Sequence, residues 1–134
     1  MKIFINLIDA SRPGEELIED IKKKVLKLSK EEKLDGKLGI TFTDDINIKK
    51  YNKKYRKLNK ATDVLSFSND EYGLLGDIII SVETAMRNAK KYGATFKDEI
   101  VRLVVHGSLH IAGYDHIKAG DRIIMRKKEG KYIL

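Results

Sequence analysis

Three histidines, His106, His110 and His116, are the only ones in a chain of 134 residues, and they share one short window: His106-Gly107-Ser108-Leu109-His110-Ile111-Ala112-Gly113-Tyr114-Asp115-His116. The first two are spaced i, i+4, so on a helix both imidazoles leave the same face one turn apart. Gly113 stands where such a helix must end. A glycine takes the left-handed conformation that reverses the chain, and the reversal presents His116 as a third ligand. Three neutral imidazoles with one position left for water is the ligand set of a catalytic zinc, whereas structural zinc sites are closed and usually rich in cysteine. This chain has no cysteine. One zinc per chain, held by His106, His110 and His116, is the expectation.

The spacing follows the metzincin pattern of metalloproteases at every position but one, because Gly107 stands where that pattern has glutamate. The glutamate is the general base of peptide hydrolysis, and a glycine can neither take a proton nor give one to a leaving amine. A protease is therefore the disfavoured alternative.

The whole string HGSLHIAGYDH resembles the signature of the YbeY family, bacterial endoribonucleases of rRNA maturation. Two further stretches agree with it. Tyr55-Arg56 followed by Ala61-Thr62-Asp63-Val64-Leu65-Ser66-Phe67 is similar to the family's arginine and its Thr-Asp-Val-Leu-Ser-Phe strand, and Leu75-Gly76-Asp77-Ile78 is similar to the strand that follows. The resemblance runs from about Phe42 to Glu129. One departure is visible, since the family commonly follows that phenylalanine with proline and this chain has Ser68; a local change in the loop is expected. The resemblance implies a zinc-dependent endoribonuclease acting on single-stranded segments of rRNA, alone or on a ribosomal subunit. Elementary chemistry agrees: zinc lowers the pKa of its bound water to about 7, which supplies a hydroxide for attack on a phosphodiester without a dedicated carboxylate. The phosphodiester under attack also needs its non-bridging oxygens neutralised, which a guanidinium does with paired hydrogen bonds. Arg56 is the candidate for this catalytic role. A ribosome-associated protein in which zinc is only structural is the second alternative.

Charge points the same way. The net charge of +7 suits a polyanionic partner. Lys49, Lys50, Lys53, Lys54, Arg56, Lys57 and Lys60 form a run without an acid, so its excess equals that of the whole chain. Lys53, Lys54 and Lys57 are the candidate RNA-binding lysines, acting through phosphate contacts. Asp63 and Asp115 lie near the motifs, where either can orient a ligand imidazole or cap a strand end or turn.

These residues need a rigid frame, and the length suits a single domain, residues 1–134, with a core of its own. Proline occurs once, at Pro13, and no linker or repeat breaks the chain. The apolar start, broken by Asn6 and Asp9, reads as a strand and not as a signal peptide. No stretch approaches the roughly 20 apolar residues of a membrane span. A cytoplasmic protein with no membrane or disulfide partner is expected.

Periodicity predicts a strand over Lys2 to Ile8, a helix from about Glu15 to Leu28, a strand over Leu38 to Thr43, and a helix capped by Thr43 or Asp44 that buries Ile46, Ile48, Tyr51 and Tyr55. Strands over Ala61 to Phe67 and Leu75 to Ser81 follow, joined as a hairpin, the latter apolar enough to be central. Ser81 caps a helix closed by Gly93. Thr95 starts the histidine helix, which is apolar on nearly all sides from Ile100 to Ala112 and so runs through the core, as a preorganised site requires. Gly107 within it implies close packing against a strand. A last helix, Lys118 to Lys128, is expected to cover the core with Ile123, Ile124 and Met125. The fold class is α+β: a four-stranded mixed sheet packed with about five helices, with the metal site on a buried helix.

Overall fold

The strands Lys2–Leu7 (β1), Lys37–Thr43 (β2), Val64–Ser68 (β3) and Leu74–Ser81 (β4) form one sheet in the order β1-β2-β4-β3. The structure, a computed structural model, describes residues 1–69, 74–114 and 119–133. β1 runs parallel to β2 and β2 parallel to β4, while β3 returns antiparallel to β4, so the sheet is mixed. The apolar β4 is interior, as its composition predicts. The helices are Glu15–Glu31 (α1), Asp45–Arg56 (α2), Val82–Tyr92 (α3), Phe96–Ile111 (α4) and Ala119–Ile133 (α5).

Alternation along the strands divides the side chains between two faces. Leu38, Ile40, Phe42, Ile78 and Ile80 point into the main core, where they meet Leu17, Ile18, Ile21, Val25 and Leu28 of α1 and the buried flanks of α4. The opposite face is covered by α2, whose Ile48 packs on Leu65 and Ile79.

Local chemistry fixes the helix ends. Asp44, Ser81 and Thr95 each accept a hydrogen bond from the backbone N–H three residues on, at 2.9, 3.2 and 3.0 Å. Thr43, the other candidate cap of α2, instead donates its hydroxyl to the Ile8 carbonyl at 2.8 Å. Gly93 closes α3 in the left-handed region at φ 69°.

Two expected burial patterns are corrected. In α2, Ile46 is 67% and Tyr55 53% exposed, because the helix covers only the β3–β4 half of its face; Asn52 is buried instead, donating to the Lys60 carbonyl at 2.9 Å to tie down the following loop. In α5, Ile123 and Ile124 face outward, and the buried stripe is Met125 and Tyr132, one side of a helix that continues to Ile133.

Candidate functional site

α4 is buried over most of its circumference, and from Glu99 onward only Arg102, His106 and His110 rise partly into the open. His106 and His110 share a face as the i, i+4 spacing requires, with ring centroids 4.8 Å apart and planes at 73°. Between them Gly107 lets the helix lie against the sheet. A Cβ there would stand 2.9 Å from Ile78 Cγ2 and 3.0 Å from Ser66 Oγ, so the expected close packing is present and a longer side chain has no room.

The helix ends as the sequence implies. Gly113, at φ 104°, donates its N–H to the His110 carbonyl, and the Tyr114 N–H reaches the Leu109 carbonyl, both at 3.0 Å. This pair of bonds is a Schellman motif. Tyr114 is then held by its hydroxyl, which donates to Glu32 at 2.7 Å. Asp115 and His116, the residues expected next, lie outside the described residues.

A carboxylate that sequence reasoning missed touches the first histidine. Glu129 of α5 places Oε1 2.5 Å from His106 Nδ1. The hydrogen bond to His106 holds the Glu129 carboxyl below its ordinary range against the opposing effect of burial, with Arg102 and His110 adding in the same direction. A neutral His106 that donates Nδ1–H to this carboxylate would present the Nε2 lone pair, the tautomer a metal-binding imidazole uses. Among the described residues no group of three His, Cys, Asp or Glu side chains is placed to hold a metal. Two imidazoles on one helical face, one oriented by a carboxylate, nevertheless form a donor set whose chemistry fits zinc.

Asp63 has the structural role of the two weighed for it. Its Oδ1 caps the start of β3 through the Val64 N–H at 2.8 Å, and its Oδ2 accepts from Asn88 at 3.3 Å and faces Arg102 at 3.8 Å. Arg102 in turn forks onto Glu99, at 2.6 and 3.1 Å. Glu99, only 5% exposed, is thereby a paired charge.

Arg56, the last residue of α2, donates from Nη2 to the Ser66 carbonyl at 2.8 Å and lies over the Phe67 ring at 5.2 Å. A cleft of about 340 Å³ opens beside it, and among its walls are Tyr55, Arg56, Ser66, Ser68 and His110. The arginine and one of the histidines, 54 positions apart in sequence, therefore line one cavity. Ser68, the departure from the family's proline, is the last residue of β3, pairs with Gly76 and joins this wall. Lys53 and Lys54 on α2, and Lys57 in the left-handed cap at φ 59°, are exposed around the arginine without lining the cleft.

Comparison with known proteins places the chain in a family. The family model described as endoribonuclease YbeY matches residues 6–134. The endoribonuclease YbeY of Desulforamulus reducens is 40% identical over 96% of this chain and 93% of its own, and that of Finegoldia magna 43% identical over 86% and 80%. A Thermotoga maritima protein of known solution structure superimposes with a TM-score of 0.71 at 32% identity, over 98% of this chain and 86% of its own. Matching along nearly its whole length in sequence and in fold, the chain belongs to the endoribonuclease YbeY family.

Proposed function

We propose that this protein is a zinc-dependent endoribonuclease that cuts single-stranded segments of rRNA during ribosome maturation, working in the cytoplasm. The observation that carries the reading is the shared cleft, in which Arg56 and His110 line one cavity. His106, His110 and His116 would hold one zinc, which when bound supplies an acidified water at neutral pH. Glu129 orients His106 and stabilises the charge its ring acquires on ligation. Arg56, already anchored by the Ser66 carbonyl and the Phe67 ring, offers its remaining N–H groups to the non-bridging oxygens of the phosphodiester. Lys53, Lys54 and Lys57 draw in the flanking phosphates. Peptide hydrolysis is a poor rival, because a glutamate in place of Gly107 would collide with Ile78 and Ser66.

The test joins metal analysis of the purified protein to cleavage of single-stranded RNA. One zinc per chain, cleavage lost on chelation and restored by zinc, and loss of both metal and cleavage in His110→Ala with the fold intact are the expected results. A full equivalent of tightly held zinc in His110→Ala would sink the ligand assignment.

A further inference from the structure

Behind the cleft, on the face of the sheet that α2 covers, lies a second cavity of about 380 Å³ lined by Thr41, Tyr51, Tyr55, Phe67, Asp77 and Ile79. Tyr55 and Phe67 belong to both cavities, packed edge to face at 5.3 Å as a common wall. Tyr51 extends that wall, its ring nearly parallel to Tyr55 at 11° and 6.3 Å away.

Asp77 is the charged member of this aromatic pocket. In the sheet it stands between Phe67 on β3 and Gly39 on β2. It is half-buried, and no hydrogen bond or ion pair joins its side chain to another described residue. Burial raises its carboxyl above the ordinary range with nothing to offset the effect. Its position is made by a glycine, since a Cβ on Gly39 would come within van der Waals contact of Asp77 Oδ1. A carboxylate repels phosphate, so this pocket cannot take the RNA backbone. It suits the neutral, flat, hydrogen-bond-donating part of a nucleotide, and single-stranded RNA is generally read by stacking unstacked bases on aromatic rings and pairing their edges with polar groups.

We infer that the Tyr51–Tyr55–Phe67–Asp77 pocket is a nucleobase subsite beside the cleavage cleft, selective for a base with adjacent N–H donors, guanine foremost. The inference rests on the RNA reading above and assigns its base preference. Guanine offers N1–H and its 2-amino group side by side to the two carboxylate oxygens, whereas uracil sets carbonyls on both sides of its one N–H. The neighbouring cavities then divide a nucleotide by charge: Arg56 takes the phosphate and Asp77 the base.

Two variants test the carboxylate in different ways. Asp77→Asn removes the charge and keeps the shape. Gly39→Ala keeps the charge but forces the end of the Asp77 side chain aside, a movement a flexible side chain makes without breaking the sheet. Single-stranded RNAs identical except for guanosine or uridine next to the cut bond should be cleaved by the parent with a kcat/KM ratio of roughly 10 to 100 in favour of guanosine, the discrimination of a paired base contact. Both variants should bring that ratio close to one. In parallel, guanosine monophosphate, but not uridine monophosphate, should shift the NMR ring signals of Tyr51, Tyr55 and Phe67 in the parent and not in Asp77→Asn. A parent that cleaves both RNAs equally and shows no ring shifts would overturn the subsite while leaving the nuclease intact. Ring shifts specific to guanosine monophosphate in a protein that cuts no RNA would support the pocket and refute the nuclease.

Discussion

Arg56 differs from the lysines around it in having fixed partners: one N–H goes to the Ser66 carbonyl at 2.8 Å and the guanidinium carbon lies over the Phe67 ring at 5.2 Å. A planar fork held this way presents its other donors to the cleft at little further cost in side-chain entropy, which an ammonium on a flexible stem cannot match. Substitution by lysine keeps the charge and loses the fork. If Arg56 stabilises charge that develops only during attack, Arg56→Lys should lower turnover far more than affinity, because the missing contacts are those of the transition state. Loss of one preorganised donor of this type elsewhere costs roughly 100- to 1,000-fold in rate, and a loss of that order with zinc content unchanged is expected from steady-state cleavage of single-stranded RNA. A lysine variant at near the parent rate would reduce Arg56 to one more charge of the basic run.

At the scale of elements, the site is a meeting of two helix ends, α2 with Arg56 and α4 with His110, across the short edge strand β3. Because α2 and its C-cap project Lys53, Lys54 and Lys57 into solvent, neutralising all three should weaken every RNA alike and flatten the salt dependence of binding, by roughly 0.7 per lost contact and about 2 in total. An unchanged slope would make them a solvated face. Much of this arrangement is legible in the sequence because it is encoded locally: the caps Asp44, Ser81 and Thr95, the i, i+4 histidines and Gly113 each act on neighbours within a turn or two. Elsewhere the sequence is silent because the determinant is distant. Glu129 meets His106 across 23 positions, and nothing at either place distinguishes that glutamate from a solvated one. Ile123 and Ile124 mislead for a related reason: consecutive apolar residues on a helix point in different directions, and the stripe through Met125 and Tyr132 is selected by what α5 packs against. The order β1-β2-β4-β3 likewise depends on parallel pairings made through long crossovers.

Across the whole molecule, one carboxylate ties the site to the rest of the fold. Glu32, the C-cap of α1, accepts hydrogen bonds from Tyr114 at 2.7 Å, from Lys128 at 2.9 Å and from Tyr132 at 2.5 Å. It thus joins α1 to the turn that follows the histidine helix and to α5. Lys128 is adjacent to Glu129, so the helix this clasp positions is the one that orients His106. Burial would raise the Glu32 carboxyl, but the bonds from Tyr132, Lys128 and Tyr114 outweigh it and hold it down at about 2. A group depressed on folding binds its proton more tightly in the unfolded chain, so its contribution is fully present above the unfolded value of about 4.5 and is lost as the pH falls towards about 2. Charge-assisted hydrogen bonds contribute roughly 1.5–3 kcal/mol each. Glu32→Gln retains one acceptor and the shape, so it should cost on the order of 2 kcal/mol at pH 7, a fall in Tm of several degrees for a chain of this size. Thermal unfolding of the parent and the variant across a pH series should show a gap that is constant above about pH 5 and closes as the pH falls through the acid range to about 2. A gap as wide at the acid end as at neutral pH would show that Glu32 holds α1, α5 and the Tyr114 turn together by shape alone, with its charge contributing nothing.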